Sequence, residues 1–142
     1  MKPEVRVRVG DIELAAQEFG ETDRPAIVLI MGLGMQMISW PDTFCHALAE
    51  RGYRVVRFDN RDAGNSHKVN GVRAPGPLKM LLASRLGIRL SVPYQLRELA
   101  DDTAALLTAL GIDAAHIVGA SMGGTIAQLV AAHHPERVLT LT

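Results

Sequence analysis

The sequence predicts an α/β fold: an antiparallel β-hairpin, then a mostly parallel sheet with flanking helices. Three observations carry it. Val5, Val7 and Val9 alternate with Arg6 and Arg8, and a second alternating segment follows after one turn. Ala26 to Met31 (AIVLIM) is an unbroken apolar run. From there on, short β-branched segments alternate with longer segments of helical spacing, the order expected of a parallel sheet wrapped by helices.

The elements follow in chain order. Period-two alternation over residues 5–9 marks a strand. Gly10-Asp11 turns the chain, and Ile12, Leu14 and Ala16 open the returning strand of a hairpin. Asp23-Arg24-Pro25 breaks the chain before AIVLIM, whose continuous apolar character suits a strand buried on both faces. Gly32-Leu33-Gly34 is a loop. Trp40 to Arg51 has helical spacing, with Phe44, Ala47 and Leu48 on one side and Gly52 as a stop. Tyr53 to Phe58 is the next strand, and Asp59 to Ser66 is a polar loop at its C-terminal end. Gln95 to Leu110 is the clearest helix. Its face is Leu96, Leu99, Thr103, Leu106, Leu107 and Leu110, and Gly111 closes it. Ala115 to Val118 is a short strand, Met122 to His133 an apolar helix stopped at Pro135, and Val138 to Leu141 one more strand.

Composition limits the rest. The 142 residues suit one domain, and 48% hydrophobic with 21% charged residues is a globular balance. Fifteen basic and fifteen acidic side chains cancel, so no net field favours nucleic acid. A single cysteine, Cys45, excludes an intramolecular disulfide framework and fits a reducing compartment. The N-terminus, MKPEVRVRVG, lacks the apolar core of a signal peptide. No run reaches the length of a membrane span. A cytoplasmic protein is expected, and its oligomeric state is left open.

Residues 63–97 stand apart. They hold Lys68, Arg73, Lys79, Arg85, Arg89 and Arg97, three prolines and no acidic residue. Leu78, Leu81, Leu82 and Leu86 have the spacing of a short amphipathic helix. The stretch reads as a surface excursion, as an apolar flap beside a pocket at a strand's C-terminal end, or as a peripheral membrane contact.

The chemistry centres on Gly119-Ala120-Ser121-Met122-Gly123, a G-x-S-x-G sequence between a strand and a helix. A strand that turns abruptly into a helix leaves one side chain at the apex, on a strained backbone. Residues two before and two after approach closely, and Gly119 and Gly123 supply the missing Cβ atoms. Gly124 would let the helix pack close to the sheet. The helix N-terminus directs N–H groups at the serine, ready for negative charge. The pattern predicts a nucleophile elbow with Ser121 at its apex.

Three motifs, IVLIMGLGMQMISW, FDNRDAGNS and IVGASMGGTIAQ, resemble the N-terminal part of an α/β-hydrolase over essentially the whole chain. Their combination is similar to the branch containing anthracycline methylesterases and cofactor-free haloperoxidase-like esterases. The resemblance implies that a backbone N–H after the first parallel strand helps bind an oxyanion. Leu33 is the expected donor, with Gly32 as the other possibility, and Met122 is the second. The family commonly has His-Gly at this loop, and this chain has Met31-Gly32. The Asp59–Ser66 loop resembles the family's D-x-R-G-x-G-x-S segment, with Asp62 where a glycine is common. Its expected role is structural, with Asp59 and Arg61 bonding each other or nearby backbone. The implied substrate is a small, rather apolar ester, and no cofactor is called for.

A serine needs a base, and the base an orienting acid. In the α/β-hydrolase order both follow the serine. After Ser121 come only His133, His134 and Glu136. The two histidines lie roughly 18 Å along the helix from its start and suit its C-terminal dipole. His116 opens the strand before the elbow, at its far end. His46 sits on the first helix. His67, after the Asp59–Ser66 loop, is the substitute base to consider. Cys45 reads as a small buried helix residue. No histidine–acid spacing suggests a metal site. The expectation is a partial serine hydrolase, truncated after the strand that follows the elbow helix, with its acid and histidine elsewhere. The alternative is a non-catalytic binding protein, or a degenerate fragment, that keeps the hydrolase pocket.

Overall fold

A computed structural model describes residues 3–69, 82, 85–87 and 93–142. Among these residues six strands form one sheet: β1 (Val5–Val9), β2 (Ile12–Phe19), β3 (Ala26–Ile30), β4 (Arg54–Phe58), β5 (Ala115–Gly119) and β6 (Val138–Leu141). Their spatial order is β1-β2-β4-β3-β5-β6. β1, β2 and β4 are joined antiparallel; β4, β3, β5 and β6 run parallel. Among the described residues three α-helices flank the sheet: α1 (Asp42–Ala49), α2 (Leu96–Ala109) and α3 (Met122–His133). The predicted fold class and order of elements hold, with ends shifted by one or two residues. Among the described residues no helix is long and apolar enough to cross a membrane.

The central strand β3 is buried at every position, as its unbroken apolar run requires. Alternate side chains serve opposite faces. Ile27 and Leu29 join Phe19, Val55 and Cys45 beneath α1. Val28 and Ile30 join Leu14, Val56, Phe58, Leu106, Ile117 and Ile126 beneath α2 and α3. β2 is buried almost throughout rather than on one face, because Leu14 and Ala16 enter the core beneath α2 and α3 while Phe19 enters the one beneath α1.

Two helical faces differ from expectation. In α1 the buried residue is Cys45, while Phe44 turns outward and stacks on Trp40 with ring centroids 5.7 Å apart. Trp40 itself precedes the helix. In α2, Leu96 is exposed at the first turn, and Leu99, Thr103, Leu106 and Leu107 form the buried face. The Glu98 carboxylate closes that first turn by accepting from Gln95 N–H at 2.7 Å. Of the proposed excursion helix, Leu82 and Leu86 are exposed and Leu86 N–H donates to Leu82 O at 3.0 Å. Leu78 and Leu81 lie outside the described residues.

The interior also holds charge. β4 carries Arg54 and Arg57, both buried and on opposite faces. Arg54 Nε donates to Glu18 Oε2 at 2.6 Å and its Nη2 to Leu110 O at 3.0 Å. Arg57 donates to Gln17, Asp42 and the Trp40 carbonyl, and its guanidinium lies over the Phe19 ring. Removing one partner of a buried pair strands the other charge, at about 3–5 kcal/mol. Glu18→Ala is therefore expected to lower stability by about 3 kcal/mol in urea unfolding. Arg24→Ala, whose pairing with Asp23 spans 3.9 Å in water, should change it by less than about 0.5 kcal/mol.

Candidate active site

Three segments meet at the C-terminal edge of the parallel strands, where open α/β sheets bind ligands. They are the turn after β5, the loop after β3 and the loop after β4. Ile30 pairs with Gly119 in the sheet, and Ala120 N–H donates to Ile30 O at 3.0 Å, so the first two segments start side by side.

Ser121 occupies the N-cap position of α3 at φ 55° and ψ −124°. Among the described residues only it and Asp62 combine a side chain with positive φ. Such a backbone costs on the order of 1–3 kcal/mol and persists only where its surroundings enforce it. An ordinary N-cap serine has extended backbone and bonds the helix N–H groups through its oxygen. Ser121 makes no such cap bond, and the residue is exposed.

The surroundings that enforce this turn are glycines. A Cβ on Gly119 would lie 2.6 Å from Gly124 N, and one on Gly123 would lie 2.7 Å from the Ile30 carbonyl carbon. Backbone therefore packs on backbone at both points. Gly124 differs: its Cβ would approach nothing closer than 3.4 Å, an ordinary contact. A Cβ on Gly32 would stand 3.1 Å from Ser121 Cβ and 3.5 Å from Ser121 Oγ, so the β3 loop passes against the serine. Gly123 N–H and Gly124 N–H donate to the Ala120 and Ser121 carbonyls at 2.9 Å each. Met122 N–H heads the helix, where no intrahelical acceptor exists. The structure thus gathers Ser121, Gly32, Gly119, Met122, Gly123 and Gly124, with Leu33 next in the adjoining loop. The Leu33, Met35 and Ile38 side chains are 75%, 47% and 64% exposed, which leaves an apolar surface on that loop.

The loop after β4 is polar, and Asp59, Asn60 and Ser66 in it are buried. Asp59 accepts from Met37 N–H at 2.6 Å and from Asn65 N–H at 2.9 Å. Asn60 Nδ2 donates to Met31 O at 3.1 Å. Ser66 Oγ donates to Asp59 O at 2.6 Å and accepts from Ala15 N–H at 2.9 Å. Arg61 does not bond Asp59. It turns to α2, forms two 2.7 Å bonds to the Asp102 carboxylate, and lies over the Tyr94 ring. The Asp102 hydrogen bond raises the Arg61 pKa and keeps it charged. Sequence reasoning missed Asn60, Asp102 and Tyr94 as parts of this frame, since their partners lie tens of residues away.

The histidines have other neighbours. His134 bonds Asp101 at 2.7 Å, and His116 bonds Thr140 at 2.8 Å. The His46 ring meets Phe19 edge-on at 5.1 Å. His67 is exposed, and its backbone pairs with Glu13 and Asp62. His133 ends α3, as expected. Cys45 is fully buried, and burial pushes its thiol pKa up.

With this geometry in place, the family is plain. A family model for the alpha/beta hydrolase fold matches residues 25–142, and the chain belongs to that family. It is 39% identical over 132 residues to a rhodomycin D methylesterase of Streptomyces sp. (strain C5), covering 93% of this chain and 38% of that protein. It is 32% identical over 127 residues to 3-oxoadipate enol-lactonase 2 of Acinetobacter baylyi, covering 89% of this chain and 39% of that protein. The crystal structure of the enol-lactonase from Burkholderia xenovorans LB400 superimposes with a TM-score of 0.74 at 29% identity, over 94% of this chain and 44% of that one. The chain spans about two-fifths of the length of these curated relatives. The resemblance to methylesterases stated from the motifs agrees with these matches.

Two outcomes test the site's physical description. Gly123→Ala should force α3 off the end of β3 and cost about 2–3 kcal/mol, whereas Gly124→Ala should be neutral or stabilising by up to about 1 kcal/mol; thermal unfolding of the two variants checks the contrast. Burial first, then the hydrogen bond and charge of Asp62, push the Tyr94 phenol up to about 12, against Arg61, which lowers it. Between pH 10 and 12 the unfolded phenol loses its proton and the folded one keeps it, so stability falls as pH rises through that window. Ultraviolet titration should show a tyrosine step near 12 that Tyr94→Phe removes.

Proposed function

We propose that this chain is the nucleophile-bearing part of a serine hydrolase acting on carboxylic esters. The observation that carries the reading is Ser121 itself: apical, exposed, at positive φ, and not spent as a helix cap. An inert serine at a helix entry needs neither the strain nor the glycine contacts.

In this reading Ser121 Oγ attacks the ester carbonyl carbon, and the alcohol leaves. The developing oxyanion sits between the N–H groups of Leu33 and Met122, with Gly32 as the alternative donor in the loop. Fixed N–H dipoles matter most here, since each is worth about 3 kcal/mol in the transition state. Met31 in place of a histidine before Gly32 leaves the backbone donors in place. Water then attacks the acyl-serine and releases the acid. The base and its orienting acid come from outside these 142 residues in this reading: His116 and His134 are bonded elsewhere, His46 meets Phe19, His133 stands at the far end of α3, and the His67 backbone is tied to β2, with β4 and β3 between it and β5. The exposed Leu33, Met35 and Ile38 side chains favour a small apolar ester. The rhodomycin D methylesterase and enol-lactonase relatives support ester and lactone carbonyls as the substrate class.

The test is covalent labelling of the protein expressed over the full length of its relatives. A fluorophosphonate probe should label Ser121 within minutes, and Ser121→Ala should abolish both labelling and hydrolysis of p-nitrophenyl butyrate. A folded protein that neither labels nor turns over the ester would sink the hydrolase reading and favour a binding protein that keeps the pocket.

A further inference from the structure

The loop from Met31 to Trp40 has apolar anchors only at its two ends and at Met37. Leu33, Met35 and Ile38 point outward, and Met31, Gly32 and Met37 are its buried residues. Gly34 at φ 68° and a Met35 N–H to Gly32 O bond of 3.2 Å shape its bend locally. Beyond the buried Met37 and the packed Trp40, what ties it to the body is polar and comes from three residues at and just past the end of β4. Asn60 holds the Met31 carbonyl, Asp59 holds the Met37 N–H, and Arg57 holds the Trp40 carbonyl. The loop is pinned at its start, its middle and its end.

Asp59 is itself held on several sides. Its N–H donates to Ala15 O at 2.9 Å, its carbonyl accepts from Ser66, and its second carboxylate oxygen accepts from Asn65 N–H. It is 2% exposed. A Cβ on Gly64 would lie 2.7 Å from its Oδ1, so the following turn closes over the carboxylate. A carboxylate fixed on this many sides can define where a neighbouring N–H points.

We propose that Asp59 and Asn60 are positioning residues that set the register of the oxyanion loop, and so govern turnover rather than substrate affinity. This rests on the hydrolase reading above. An oxyanion donor acts on charge that exists only as the carbonyl is attacked. Misplacing it by about 1 Å can cost on the order of a hundredfold in rate, while the ground-state ester, held by apolar contact, notices little. Neither residue touches the reacting atoms.

The experiment compares wild type, Asp59→Asn and Asn60→Ala in the full-length protein. Asp59→Asn turns an NH₂ toward one of two N–H donors; Asn60→Ala deletes a single bond and is the milder change. Two readouts are taken: kcat and KM for p-nitrophenyl butyrate, and amide hydrogen exchange by peptide. The expected result is a kcat lower by about 30-fold for Asp59→Asn and about tenfold for Asn60→Ala, with KM within threefold. Exchange over residues 33–38 should quicken at least about tenfold while β3 and α3 keep their protection. Unchanged exchange in that loop overturns the proposal. So does faster loop exchange with kcat intact, or exchange that quickens everywhere in step with lost folded protein. A wild type inert to the ester overturns the hydrolase reading instead, and the exchange readout still decides whether these two side chains hold the loop.

Discussion

Backbone-to-backbone contact between the start of α3 and the ends of β3 and β5 is the constraint on which the rest depends. Gly119 and Gly123 have no room for a single methyl group. Because the helix is seated that closely, the turn into it has to be sharp. Because the turn is sharp, Ser121 takes a backbone that residues with side chains avoid. The exposed hydroxyl and the leading helix N–H follow from that geometry without further interactions. The strain is held by the apolar layer under α3, where Ile126, Ala127 and Val130 are fully buried against the sheet.

A second layer of organisation is polar. β4 sends Arg54 to one face and Arg57 to the other, and Asp59 and Asn60 continue from its end. Each finds partners from different parts of the chain: β2, the Met31–Trp40 loop, the start of α1 and the end of α2. Buried polar groups are tolerable only when satisfied, and satisfied ones specify a unique arrangement. One strand thereby orients loops that apolar packing alone would leave loose. Arg61 extends the same frame to α2 through Asp102 and Tyr94.

What could be read from the sequence follows from the range of each interaction. The sharp strand-to-helix turn was legible because Gly119 meets Gly123 within five residues, although the Gly123 contact with Ile30 was not, and β3 because burial on both faces leaves a continuous apolar run. The faces of the helices were less so. Spacing put Phe44 inward, but periodicity does not say which part of a stripe the sheet covers, and Cys45 holds that place. The Arg61–Asp102 pair, 41 residues apart, has no local signature. The bonding of the buried β4 arginines has no local signature either, because only the folded sheet brings Glu18 and Gln17 beside them.

The strand order has a bearing on how such a chain is made. β3 acquires β4 as a neighbour soon after synthesis, through one short helix. Its other edge waits for β5, about 85 residues later. At ribosomal speeds that is an interval of roughly 4–17 s. Throughout it, the most apolar strand of the protein offers an open edge, the feature most prone to pairing with another chain. Biosynthesis of this fold therefore passes through a stage exposed to misassembly before Ser121 has been translated, and holding factors that shield nascent strands would act on β3.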